Sequence, residues 1–230
     1  MADFSDRVIL VTGASGGLGP SVVQAFLDAG AAVAGVARKW GENPIPGKFI
    51  PLEADLTKPS ECARTVEELI AAAGRIDVVI HVMGGFAGGQ PVQQTGDSTW
   101  ARMMDMNLNA AFYMFRAVLP HLVARGRGRI VAIGSRAGIE NGPNLSAYNV
   151  SKAGLNALVR TAAAEVRDQG VTVNAILPST IDTAANRAAM PDADFSRWVK
   201  PEAIAATLLW LASDAAADVN GALLPVYGRA

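Results

Sequence analysis

The apolar run Val8-Ile-Leu-Val-Thr12 passes directly into Thr12-Gly13-Ala14-Ser15-Gly16-Gly17-Leu18-Gly19, and a helical pattern opens at Pro20. A strand that is apolar at every position must be covered on both faces, as in a parallel sheet flanked by helices. The same alternation recurs along the chain. Strands are predicted over 7–12, 31–37, 48–52, 75–82, 129–133, 171–177 and 223–226. Helices are predicted over 20–29, 98–124, 147–168 and 201–213, with another that runs to 73 from a cap at Thr57 or Ser60. The order dictates an α/β fold: one doubly wound parallel sheet in a single domain. Ligands of such sheets sit beyond the carboxyl ends of the strands, and every motif below falls at such an end.

Composition narrows the partners. The chain has 230 residues, half of them hydrophobic, enough for one compact domain with a sizeable core. Twenty basic residues face 21 acidic ones without a basic run, which argues against nucleic acid. No stretch of about 18 apolar residues occurs, so no membrane span is expected. The opening residues lack the apolar core of a signal peptide. Cys62 is the only cysteine, so no internal disulfide can form and a cytoplasmic setting is expected. His81 and His121 stand apart from other ligand-type residues, so no metal is expected. The Gly/Pro-rich stretch 40–51 is too short to divide the chain into domains.

The glycine turn suits a phosphate ligand. Gly13, Gly17 and Gly19 let the backbone approach a pyrophosphate, and Ser15 and Leu18 lie beside the positive end of the following helix. Tyr148 and Lys152 are four residues apart and so share one helix face. A phenol beside an ammonium makes an acid whose pKa its neighbour lowers. A charge about 4 Å away is worth about 4 kcal/mol at an effective dielectric near 20, roughly the shift that neutral-pH chemistry needs. Strand two ends in Ala37-Arg38 rather than in an acid, so nothing repels a 2′-phosphate and Arg38 can pair with it; alternatively Arg38 covers an adenine face.

The glycine spacing, the Ser135/Tyr148/Lys152 set and Asn107 together resemble the short-chain dehydrogenase/reductase family over nearly the whole chain. The resemblance implies a Rossmann-type sheet, a nicotinamide cofactor, a small-molecule substrate, and a homodimer or homotetramer built partly on the two long helices. It makes Tyr148 the proton donor and Lys152 a holder of the nicotinamide ribose. Ser135 would hydrogen-bond the substrate oxygen, and Asn107 would place a relay water. It assigns Asp55 and Leu56 to the adenine, although Asp55 also reads as a turn or capping residue. Gly84, Pro178, Ile181 and Thr183 complete the cofactor contacts, and a lid over about 179–200 covers the substrate. NADP is the favoured cofactor, with NAD the other choice. Two departures stand out. His81-Val82-Met83-Gly84 replaces the family's Asn-Asn-Ala-Gly, where His81 reads as structural or as catalytic, and Pro178-Ser179 replaces Pro-Gly.

Two segments, 83–89 and 177–198, also resemble dihydropteridine reductase of the same superfamily, which keeps the Tyr/Lys pair and lacks the serine. Phe86, Met190, Phe195 and Trp198 offer an aromatic or apolar substrate wall, or else pack on the protein itself. The expected activity is hydride transfer between nicotinamide and a carbonyl or secondary alcohol. Reduction of a quinonoid pterin and dinucleotide sensing without turnover are the alternatives.

Overall fold

The structure is a computed structural model that describes residues 3–40, 45 and 47–229. Residues 1–2 and 230, and residues 41–44 and 46 of the Gly/Pro-rich stretch, lie outside the described residues. Seven strands form one sheet: β1 (Val8–Thr12), β2 (Ala32–Ala37), β3 (Phe49–Glu53), β4 (Val78–His81), β5 (Gly128–Ile133), β6 (Val171–Pro178) and β7 (Leu223–Val226). Their order is β3-β2-β1-β4-β5-β6-β7 and every pairing is parallel.

Alternate residues feed two cores. Ile9, Val11, Val78 and Ile80 pack toward α1 (Gly19–Asp28), and this layer also holds Ile204 and Leu208 of a C-terminal helix, Pro201–Ala212. Leu10, Val79 and Ile130 pack on the opposite face toward α2 (Pro59–Ala73). Fully buried strands explain the unbroken apolar runs, and the chain reverses direction across the sheet between β1 and β4. That reversal opens the crevice described below.

Three expectations need correction. The helix predicted over 98–124 is interrupted: α3 (Asp97–Met104) passes through a π-helical turn (Asp105–Asn109) into α4 (Ala110–Ala124). The wider turn accompanies a fully buried Asn107 whose carboxamide bonds Gly85 and Ser151. Neither Thr57 nor Ser60 caps α2. Its cap is Lys58 without a side-chain bond, because Thr57 gives its amide and hydroxyl to Asp55 and Ser60 lies inside the helix. β4 is shorter than 75–82, since Arg75 and Asp77 instead form ion pairs at its start.

The remaining helices are α5 (Ala137–Glu140), α6 (Ser146–Glu165), α7 (Ala184–Ala189) and α8 (Pro201–Ala212). No described helix is long and apolar enough to cross a membrane.

Candidate active site

The turn after β1 is built around Gly13, which holds φ +65. A Cβ there would sit 2.8 Å from the Met83 backbone, so a side chain would push β1 and the β4 loop apart. Ala14 N–H donates to Val36 O at 3.0 Å and ties the turn to β2. Helix α1 begins at Gly19 with Pro20 in its first turn and no acid beside it. Its first amides lack partners within the helix and carry the positive end of the dipole, a natural anion site.

A cleft of about 460 Å³ runs from this turn across the sheet's carboxyl edge. Gly13, Ser15, Gly17 and Leu18 form one end, and Arg38 and Leu56 lie beside it at the ends of β2 and β3. Gly84, Pro178, Ile181 and Thr183 line the middle, with Ser135, Tyr148 and Lys152 also in the wall. Three expected residues do not line it. Gly19 lies beneath the turn, where a Cβ would meet the Gly13 and Ala14 carbonyls at 2.4 Å. Asp55 closes a turn with Thr57, whose hydroxyl donates at 2.6 Å, and that bond holds its carboxyl below the usual range. Asn107 is enclosed behind Gly84, whose Cβ would lie 2.9 Å from the Asn107 Oδ1. The cleft suits a dinucleotide: glycines at one end and, among the described residues, Arg38 and Lys152 as its only charged lining with no carboxylate.

Ser135 follows β5, while Tyr148 and Lys152 stand one turn apart on α6. Burial pushes the Tyr148 phenol above its ordinary value, and a hydrogen bond with Ser135 opposes this. The lowering expected from Lys152 together with the charge of an oxidised nicotinamide works against this burial. Lys152 Nζ donates to Ile133 O at 2.9 Å, and burial, with no acid beside it, lowers its pKa to about 8. Asn107 grips Gly85 twice, accepting from its amide at 2.8 Å and donating to its carbonyl at 3.0 Å. Ser151 was not anticipated, yet its hydroxyl accepts from Asn107 at 3.0 Å and donates to Tyr148 O at 2.8 Å. Asn186 also lines the cleft; the pattern Thr183-x-x-Asn186 of a capped helix start was the signal for it.

His81 is structural in placement. It is fully buried, Nδ1 lies 3.1 Å from Thr12 Oγ1, and its ring meets Phe115 edge-on. Thr12 in turn accepts from Met83 N–H at 3.2 Å, so this chain of contacts ties β1 to the β4 loop where the family uses asparagine. Burial, with a smaller push from Lys152, lowers the His81 pKa to about 3, leaving the ring neutral. The unfolded chain takes a proton near pH 6.5 and the fold does not. Stability from this group is therefore present above about 6.5 and lost toward pH 3, by up to about 1.4 kcal/mol per pH unit. Urea unfolding of a His81→Asn variant should show a pH slope between 6 and 4 that is shallower by nearly one proton. An unchanged slope would contradict a neutral buried ring.

Of the proposed substrate wall, only Phe86 lines the cleft. Trp198 is buried with its ring 4.7 Å from that of Phe195, and the Arg187 guanidinium covers Phe195, so these residues pack on the protein itself. The expected lid segment is anchored at both ends. Ile181 bridges to Val199, and Asp182 joins Arg187 and Lys200, which hold its carboxyl well below the usual range.

Comparison with known proteins agrees with this geometry. The short chain dehydrogenase family pattern matches residues 7–194. Galactitol 2-dehydrogenase of Rhizobium johnstonii is 34% identical, over 94% of this chain and 92% of its own. The NAD(+)-dependent 2-dehydro-3-deoxy-L-rhamnonate dehydrogenase of a Sphingomonas strain is 32% identical, over 78% of this chain and 74% of its own. A short-chain type dehydrogenase/reductase structure from Mycobacterium ulcerans superposes with TM-score 0.91 at 31% identity, covering 98% of this chain and 90% of that one. The chain belongs to the short-chain dehydrogenase/reductase family, the NAD(P)-dependent oxidoreductases that act on alcohol and carbonyl groups.

Proposed function

We propose that the enzyme moves a hydride between NADPH and a ketone or secondary alcohol, with Tyr148 as acid and base. The observation that carries this reading is the convergence of Ser135, Tyr148 and Lys152 on the wall of the dinucleotide-shaped cleft. When bound, the nicotinamide supplies or accepts the hydride at the substrate carbon. The glycine turn and the α1 amides hold the pyrophosphate, and Lys152 holds the ribose. Ser135 orients the substrate oxygen and stabilises charge on it as Tyr148 delivers the proton. Asn107 fixes the Gly84–Gly85 floor and is the candidate for placing a relay water. The functional test is reduced-cofactor oxidation over a panel of ketones and secondary-alcohol products. No ketone-dependent oxidation with either cofactor would defeat the proposal.

NADPH is the favoured partner because Arg38 lines the cleft at the end of β2. No carboxylate lies within ion-pair distance of it among the described residues, and nearby Glu53 accepts from Trp40 N–H instead. Arg38→Asp is expected to raise the KM for NADPH by about tenfold or more, the scale of a charged hydrogen bond, while NADH use holds or improves. A wild-type enzyme with no preference would remove the argument.

We also propose a homodimer or homotetramer using the long helices, where Phe112 and Val150 are exposed. A cytoplasmic location is supported by Cys62, a lone buried thiol pushed up to about 11 by burial.

A further inference from the structure

Phe86 stands between two spaces. It is 65% exposed, its ring meets that of Tyr148 at 5.0 Å, and it lines both the cofactor cleft and a second cavity of about 540 Å³. The second cavity lies between the loop after β4 and the start of α6. Its walls are tied together: Gly89 N–H donates to Asn144 O at 2.8 Å, and the Thr95 and Ser146 hydroxyls pair at 3.0 Å. Asn144 holds φ +62, the left-handed turn conformation that asparagine adopts more readily than most residues.

The chemistry of the lining is one-sided. Among the described residues Arg102, itself exposed, is its only charged residue and no carboxylate contributes to it. Asp105, the next acid along the helix, accepts from Asn109 at 2.8 Å instead. Among the described residues no carboxylate lies within ion-pair distance of Arg102. Around it, Gln90, Gln94, Thr99 and Asn144 line the cavity with amide and hydroxyl side chains that have no hydrogen-bond partner among the described residues.

We infer that this cavity receives the remote end of the substrate, and that this end is a carboxylate. The inference rests on the hydride-transfer reading, which puts the reacting oxygen at Tyr148 and Ser135. From there a substrate extends past the Phe86 ring into the cavity. A guanidinium offers paired N–H donors that match a carboxylate, and one cation balances one negative charge. A phosphate dianion would leave a charge unmatched. The neutral amides and hydroxyls serve oxygens along the connecting chain.

The test uses the purified enzyme with NADPH and a series of straight-chain oxo acids of increasing length, each paired with its methyl ester. One chain length should show kcat/KM for the acid about tenfold above the ester, the effect of about 1.4 kcal/mol of charged hydrogen bonding. In an Arg102→Gln variant the ratio should fall toward one through the acid's KM, with ester kinetics and NADPH binding unchanged. A role for Arg102 in holding α3 alone would move acid and ester together and would overturn the inference. So would turnover of esters with no acid preference at any length, or a preference that survives in Arg102→Gln. Absence of turnover with every acid and ester would instead defeat the hydride-transfer reading itself, and this subsite with it.

Discussion

Tyr148→Phe is expected to lower carbonyl reduction by about 10²–10⁴-fold, the range for a positioned general acid. NADPH binding, followed by fluorescence titration, should weaken by no more than one hydrogen bond's worth. The cofactor wall is otherwise unchanged, since Ser151 holds the Tyr148 carbonyl and not its phenol. The pH dependence follows from the site's charges. Burial keeps the phenol above its ordinary value, so it is protonated across the neutral range and ready to act as an acid. Alcohol oxidation needs the phenolate, so its rate should climb as pH rises into the alkaline range while reduction falls. Lys152, with a pKa near 8, carries its charge below that pH and loses it above, so it assists the phenolate least where the phenolate is most abundant. The phenylalanine variant should lack both limbs. Undiminished turnover would show that another group moves the proton, and binding without any wild-type turnover would favour a sensor.

The sheet was legible because its central strands β1, β4, β5 and β6 are buried on both faces and therefore read as nearly continuous apolar runs. The cofactor turn was legible because close backbone approach demands glycine at fixed spacing. The π-turn at Asn107 was not, since the apolar pattern continues through 98–124 and only contacts with Gly85 and Ser151, distant in sequence, select the wider turn. Helices α5 and α7 are too short for periodicity to register. The direction of the Tyr148 shift depends on whether burial outweighs neighbouring charge, and spacing carries no information about burial. At Asp55 the turn reading that its position also offered is the visible one, because Thr57, two residues on, engages its carboxylate locally. The wall residues Phe195 and Trp198 illustrate the same limit, because apolar side chains in a lid satisfy each other as readily as a ligand.

Ser135→Ala should reduce carbonyl turnover by about 10²–10³-fold, the loss that follows removal of one oxyanion donor. The hydroxyl is positioned for this. It accepts from Ala137 N–H at 3.2 Å within the turn after β5 and shares the cleft wall with Tyr148, which would let it meet a substrate oxygen beside the acid. Its bond to Tyr148 opposes the rise that burial imposes on the phenol. Removing it should therefore also move the alkaline limb of alcohol oxidation to higher pH, a change that simple loss of substrate affinity would not produce. Reduction of a quinonoid pterin relies on the Tyr/Lys pair without the serine and should largely survive the substitution. Equal losses on ketone and pterin would mean that alanine has disturbed the turn itself. Full ketone activity in the variant would leave Ser135 without a chemical role and return the choice of substrate to the pair on α6.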